Sequence, residues 1–341
     1  MSHEETSDRR FDRLASMLRG YEVTQMLSVF ATLGVPDRLA RGPATAAELG
    51  DELGADADAL HRLLRALTSV RVVAREGDGR FVLTPLGDRL RSDAANTLAP
   101  LAVAYGQPWW WATWGGLLHS VRTGEPAFDH VHGCSLDEYL DRHEGSSLVF
   151  GDCMSLRSDA DDEMVLESFD FSTVRHLVDV GGGHGALVTA VLRRYPQLEA
   201  TLFDAPAAIR AARERLRGSD VADRIELTEG DFFGSIPPGA DAYVLKNILH
   251  NWDDEQASEI LRLVRRASAP GGTLLVVQHV VPDDDGVSPA RLLDVALLVF
   301  TGGRQRTEGE YRALFDSAGF RVARVSLTSS GISVFEARPT E

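Results

Sequence analysis

The stretch Leu177-Val178-Asp179-Val180-Gly181-Gly182-Gly183-His184-Gly185-Ala186 decides the fold. Residues 177–180 form a short apolar, β-rich run, the mark of a strand buried on both faces, and a helical pattern runs from Ala186 to Arg194. The glycines between them let the backbone reverse tightly and approach a bound ligand closely. Gly181, Gly183 and Ala186 also satisfy G-x-G-x-x-A, the dinucleotide fingerprint, although a lone match of that pattern carries little weight.

Toward the C-terminus strands and helices alternate, which predicts a parallel sheet covered on both faces. Strands are predicted at residues 199–203, 225–228, 242–245 and 273–277, with a helix over 254–267 stopped by Pro270-Gly271-Gly272. Thr307-Glu308-Gly309-Glu310 is a capping box that opens a helix ending near Gly319, and the last strands fall at 322–326 and 332–336. The second strand of the series ends at Asp204, where a carboxylate can accept hydrogen bonds from both ribose hydroxyls, a device that NAD and S-adenosylmethionine sites share. Two later segments separate those ligands. Gly230-Asp231-Phe232-Phe233 offers a carboxylate for the adenine amino group and a ring for the adenine face, and Lys246-Asn247-Ile248-Leu249-His250-Asn251-Trp252-Asp253-Asp254-Glu255 follows the fourth strand.

Toward the N-terminus the period is helical. Val23, Met26, Leu27, Phe30 and Leu33 line one face of a first helix, Thr45-Ala46-Ala47-Glu48 caps a second, and Ala59, Leu60, Leu63, Leu64 and Leu67 line a third. Residues 70–73 and 81–83 then read as strands flanking Gly77-Asp78-Gly79, whose glycines supply the positive φ angles of a tight hairpin. Three helices and a hairpin spell a winged helix. Beyond it, residues 101–163 read as a helical linker and cap that contains Trp109, Trp110, Trp111 and Trp114.

The chain carries 35 Lys plus Arg against 51 Asp plus Glu, a formal charge of −16, and its only lysine is Lys246. So acidic a balance disfavours broad binding to a phosphate backbone, though a local basic patch can exist inside a negative total, and acidic neighbours surround Arg62 and Arg65 on the third helix. The winged helix is therefore expected to make a dimer interface, not to enter a DNA groove. Cys134 and Cys153 cannot form a disulfide framework, and residues 1–10 lack the apolar core of a signal peptide. The uncharged stretch 94–121 is broken by Pro100, Gly106, Gln107, Pro108, Gly115, Gly116 and His119, so no membrane span is expected and the predicted location is the cytoplasm.

Together, residues 178–185, Asp204, residues 230–233, residues 249–255 and residues 270–272 resemble, in order, the motif series of S-adenosylmethionine-dependent O-methyltransferases. The branch is the one containing plant caffeic acid enzymes and bacterial antibiotic-tailoring enzymes. The resemblance implies an α/β fold: a Rossmann-like class I methyltransferase domain over 164–341 with a mostly parallel twisted sheet, an N-terminal winged-helix dimerisation domain over 1–100, and the linker between. It also implies a homodimer that needs no metal, no nucleic acid and no membrane. Its cofactor would be S-adenosylmethionine, and its acceptor an aromatic hydroxyl on a small secondary metabolite. The nearly all-arginine basic set and abundant alanine, a bias of GC-rich coding, point to a bacterial source.

By position, the resemblance puts Gly181 and Gly183 beside the donor, Asp204 on its ribose, Asp231 and Phe232 on its adenine, and Lys246 at a donor-contacting lysine. His250 matches the catalytic base. A phenol with a pKa near about 10 is un-ionised at neutral pH, whereas an imidazole with a pKa of about 6.5 is free to accept its proton. The acceptor pocket of the family suggests Trp114, Met154, Asp294, Leu297 and Phe300 as wall residues, with Trp109, Trp110 and Trp111 near the cap. The chain departs from the plant branch at two positions. Where two glutamates flank the plant histidine, this sequence has Gln278 and Gln305. An amide can orient an imidazole but cannot stabilise an imidazolium as an anion would, so either proximity and donor reactivity supply the rate, or the acceptor hydroxyl is unusually acidic, or another reaction occurs at the donor. Some bacterial relatives bind the donor without transferring its methyl. Of the other classes, an NAD oxidoreductase is disfavoured by Asp231-Phe232, and a winged-helix regulator by charge.

Overall fold

The computed structural model describes residues 7–327 and 331–340; residues 1–6, the start of the polar N-terminal stretch, lie outside the described residues. The chain divides into two compact units, residues 1–112 with 143–156, and residues 113–142 with 157–341.

The first unit opens with α1 (Ser7–Leu18), α2 (Gly20–Thr32), α3 (Val35–Leu39), α4 (Ala46–Leu53) and α5 (Ala57–Ser69). The hairpin of β1 (Val73–Arg75) and β2 (Phe81–Leu83) follows, then α6 (Ala99–Tyr105) and the start of α7 (Pro108–Gly115). Both halves of the capping box form at α4: Glu48 N–H donates to the Thr45 hydroxyl, and Thr45 N–H donates to the Glu48 carboxylate at 2.7 Å. Phe30, Val35, Leu49, Leu64, Leu67, Val73 and Phe81 fill one apolar core, so most of the predicted helix faces and both hairpin strands meet there, whereas Ala59, in the first turn of α5, is exposed. Two details differ from the sequence reading. The first strand starts at Val73 because Val70 caps α5 and Arg71 turns the chain at φ +60°, and of the hairpin glycines Gly79 alone takes a positive φ, +90°.

The second unit contains α8 (Leu117–Thr123), α9 (Ala127–His132), α10 (Leu136–Arg142) and the C-terminal part of α11 (Glu144–Ser168). Its sheet is built from β3 (His176–Val180), β4 (Glu199–Asp204), β5 (Ile225–Glu229), β6 (Ala242–Lys246) and β7 (Thr273–Val281), with β8 (Arg306–Thr307), β9 (Phe320–Leu327) and β10 (Ile332–Pro339). The helices are α12 (Ala186–Arg194), α13 (Pro206–Leu216), α14 (Asp254–Ala267), α15 (Pro289–Phe300) and α16 (Glu308–Ser317). The strand order is β5-β4-β3-β6-β7-β10-β9, parallel from β5 through β7, with β10 antiparallel to both its neighbours. Alternation sorts the side chains: Leu177, Val244 and Leu275 belong to the core on one face with Leu187, Val191 and Ile209, while Val178, Tyr243 and Leu274 belong to the core on the other with Ile260, Val264 and Phe315. From β3 the chain order runs outward in both directions, to β4 and β5 on one side and to β6 and β7 on the other. The crevice beyond the C-terminal ends of β3 and β6, where the order reverses, is where open α/β sheets hold their ligands.

Candidate active site

At that crevice β3 ends in the glycine turn. Gly183 adopts φ +57°, a Cβ there would meet no atom within 4 Å, and its N–H donates to Asp204 Oδ2 at 2.8 Å. Ala205 N–H donates to Asp204 Oδ1 at 2.7 Å. The carboxylate at the end of β4 thus uses two of its roughly four acceptor positions to hold the turn and keeps two for a ligand. Burial pushes Asp204 above the usual carboxylate range against the pull of those two N–H groups. Gly181 hands its N–H to the Phe203 carbonyl at 2.8 Å, which joins the turn to β4. Asp231 is exposed and accepts from Phe233 N–H at 2.8 Å, which caps the loop after β5, and Phe232 is half-buried in an aromatic cluster with Phe233 and Trp252.

Beneath the turn lie charges that the sequence did not place together. Asp179 is 1% exposed, its Oδ2 has no hydrogen-bond partner among the described residues, and desolvation raises its carboxyl to about 7. The Lys246 ammonium opposes that shift, and the nearby Asp162 and Asp204 carboxylates reinforce it. Lys246 Nζ itself forms an ion pair with Asp162 on α11, both side chains being under a tenth exposed. The single lysine of the chain therefore sits in a buried pair, where a compact ammonium fits and a planar guanidinium would need more room.

His250 lies on the 3₁₀ turn Leu249–Asn251 that follows β6, and it is buried. Behind it run the end of β7 and the segment 302–306. Gly303 is there because nothing larger fits: a Cβ on it would come within 2.1 Å of the His250 carbonyl, which accepts from Arg304 N–H at 2.8 Å. Gln305 reaches His250 Nδ1 at 3.1 Å. Gln278, oriented so that its oxygen accepts from the Ile248 and Leu249 N–H groups at 3.0 and 3.2 Å, brings its amide nitrogen to the same Nδ1 at 2.9 Å. Arg306, 1% exposed, clamps the turn from below by donating to the Leu249 carbonyl at 2.9 Å, the Trp252 carbonyl at 2.8 Å and Asp254 Oδ1 at 2.8 Å. Sequence reasoning passed over Arg306, although its place in Gly302-Gly303-Arg304-Gln305-Arg306-Thr307, beside a noted departure, was the available signal.

Of the pocket-wall expectations, Trp114 and Phe300 come together edge to face, their ring centroids 6.2 Å apart, and Phe300 also packs against Phe128 at 6.2 Å. Asp294, half-buried on α15, accepts the Gln305 backbone N–H at 2.7 Å, so it anchors the residue that supports His250. Leu297, one turn further along α15, is buried. Met154 is half-buried on the part of α11 that belongs to the first unit. In that unit Trp109 is buried against Trp110, and the Trp111 Nε1–H donates to the Tyr105 carbonyl at 2.6 Å.

Sheet order, glycine turn and terminal acids define a Rossmann-like class I nucleotide site. Residues 114–321 match the family model described as the O-methyltransferase domain, and residues 15–93 match the O-methyltransferase dimerisation domain. The chain belongs to the O-methyltransferase family, as an S-adenosylmethionine-dependent enzyme with the class I fold and an N-terminal dimerisation domain. It is 39% identical to the phenazine O-methyltransferase PhzM of Lysobacter antibioticus over 96% of this chain and 95% of that one. The solved structure of the mitomycin 7-O-methyltransferase MmcR superposes with a TM-score of 0.91 at 36% identity, covering 97% of this chain and 98% of that one. NcsB1, an O-methyltransferase from neocarzinostatin biosynthesis solved with S-adenosylmethionine and 2-hydroxy-5-methyl naphthoic acid, gives a TM-score of 0.81 at 34% identity over 93% of this chain and 96% of that one. The residues present fit that cofactor. The space over Gly183 is open, Asp204 keeps acceptor capacity for vicinal hydroxyls, and Asp179 supplies a buried carboxyl whose Oδ2 has no hydrogen-bond partner among the described residues. Among the described residues no helix is long and apolar enough to cross a membrane.

Proposed function

We propose that this enzyme methylates an aromatic hydroxyl of a small secondary metabolite in bacterial antibiotic biosynthesis, acting as a cytoplasmic homodimer. Relatives named for phenazine, mitomycin and puromycin tailoring support the substrate class, and NcsB1 holds a hydroxynaphthoic acid with the donor. The dimer reading draws on Phe11, Leu14, Met17, Leu18 and Tyr21, which give the first two helices a run of large apolar side chains between 55% and 74% exposed.

Gly181, Gly183 and Asp204 would hold the donor's amino-acid and ribose portions, Asp231 and Phe232 its adenine, and Lys246, paired with Asp162 beneath the glycine turn, would be a further donor-side residue. When bound, S-adenosylmethionine supplies an electrophilic methyl on a sulfonium. Trp114 and Phe300 would face the acceptor ring, while Asp294 would act through Gln305. The observation that carries the reading is His250, buried on the turn after β6 and gripped at Nδ1 from two sides on the same edge of the sheet as Asp204. His250→Ala is expected to lower kcat by about 100-fold or more while donor Kd changes less than about threefold, as for loss of a group that acts on the transferring centre alone. An unchanged kcat would remove His250 from the reaction.

A further inference from the structure

Of the two amides behind His250, that of Gln278 is oriented by groups that cannot reverse their roles, while the Gln305 Oε1 is buried with no hydrogen-bond partner among the described residues. Ile248 and Leu249 present backbone N–H groups to one end of the Gln278 amide, at 3.0 and 3.2 Å, and a backbone N–H only donates. The Gln278 oxygen must face them, which turns its NH₂ toward His250 Nδ1 at 2.9 Å. The Gln305 NH₂ reaches the same nitrogen at 3.1 Å. With the Gln278 NH₂ fixed as a donor toward it, Nδ1 presents its lone pair, which the Gln305 NH₂ can share, and a neutral imidazole in that state carries its proton at Nε2. His250, Gln278 and Gln305 are 8%, 0% and 4% exposed, so solvent does not compete for these bonds. Glutamate at either position would invert the arrangement, because a carboxylate accepts: it would take an Nδ1–H and leave the Nε2 lone pair for a substrate proton.

We propose that the glutamine pair holds His250 as its Nε2–H tautomer, so that the histidine donates a hydrogen bond to an acceptor oxygen already ionised instead of removing its proton. This rests on the methyl-transfer reading above. A second proton, added at Nδ1, would meet the same donors. An imidazolium would direct an Nδ1–H at the NH₂ groups, and the buried Arg306 guanidinium already places a cation on the Leu249 and Trp252 carbonyls of the same turn. Among the described residues, the charged groups near this turn are engaged: Asp253 with the Gln256 N–H, Asp254 and Arg304 with Arg306 and Glu310, Asp294 with the Gln305 N–H, and Lys246 with Asp162.

Transfer then balances without a base. The hydroxyl proton leaves to solvent before the oxygen binds, an oxygen lone pair forms the new O–C bond to the methyl, and the C–S bond breaks with its electron pair left on sulfur. The acceptors that suit such a site are hydroxyls conjugated to a carbonyl, a quinone or a ring nitrogen. An ordinary phenol, with a pKa near about 10, is ionised to only about one part in a thousand at neutral pH.

Nitrogen-15 spectra of the full-length protein labelled at histidine read the protonated ring nitrogen directly, with His250→Gln assigning the signal. The wild type should carry its proton at Nε2, and Gln278→Glu, or Gln305→Glu if the first fails to fold, should move it to Nδ1. In parallel, wild-type kcat/KM on hydroxynaphthoquinones and naphthols of graded acidity should rise about tenfold per pH unit up to a break that moves with each acceptor's ionisation. The glutamate variant should hold one break near the histidine range and bring in the weakly acidic naphthol. An Nδ1–H ring in the wild type, or a wild-type break indifferent to the acceptor, overturns the proposal. If no acceptor is methylated, the methyl-transfer reading is what fails, and the nitrogen spectrum still decides the tautomer.

Discussion

Asp204→Ala should weaken S-adenosylmethionine binding by at least about 100-fold, with titration calorimetry as the readout. The carboxylate keeps two acceptor positions after holding Gly183 and Ala205, and each charge-assisted bond to a ribose hydroxyl is worth about 1.5–3 kcal/mol. Two such bonds amount to roughly 3–6 kcal/mol, and the alanine variant also leaves the Gly183 N–H with no carboxylate to fix the turn over which the donor lies. The wild type should give no heat with NAD. An Asp204→Ala protein that binds the donor as the wild type does would detach the ribose from this residue, and heat from NAD alone would end the methyltransferase account.

Lys246→Met should cost about 3–5 kcal/mol of stability at pH 8, the usual penalty for removing one partner of a buried ion pair. The variant buries the Asp162 carboxylate without its cation and takes from Asp179 the charge that partly offsets its desolvation. The pH dependence has a definite sign. Asp179 titrates in the folded protein at about 7, above its value in an unfolded chain, so its favourable contribution is full below the ordinary carboxylate range and is lost as pH rises through about 7. Without Lys246 that loss deepens, so the deficit against wild type should be smallest near pH 5 and widen toward pH 8, as denaturant midpoints would show. Lys246→Met combined with Asp162→Leu should recover most of the stability, because replacing both members of a buried pair with apolar groups is nearly neutral. A single variant as stable as wild type at pH 8 would mean that the pair holds nothing together.

Much of this was legible in the residues. The glycine turn, Asp204 and the alternation of strands and helices placed the crevice, because a buried parallel strand and a tight glycine turn each leave a local pattern. Helices α13 and α15 left weaker ones: each begins at a proline, and α13 places arginines among small residues where no apolar stripe stands out. The Lys246–Asp162 pair joins residues 84 positions apart, and Asp162 sits in the run Asp159-Ala160-Asp161-Asp162-Glu163, which reads as a solvated surface. The two glutamines were visible as departures. The direction of Gln278 was not, since it is imposed by the backbone N–H groups of Ile248 and Leu249, which no side-chain pattern records.

With S-adenosylmethionine carrying carbon-13 in its methyl and a hydroxyquinone or hydroxynaphthoate as acceptor, carbon NMR of the product should place the label in a methyl bonded to aromatic oxygen. A label on nitrogen or carbon, or a product changed without any label, would contradict the account.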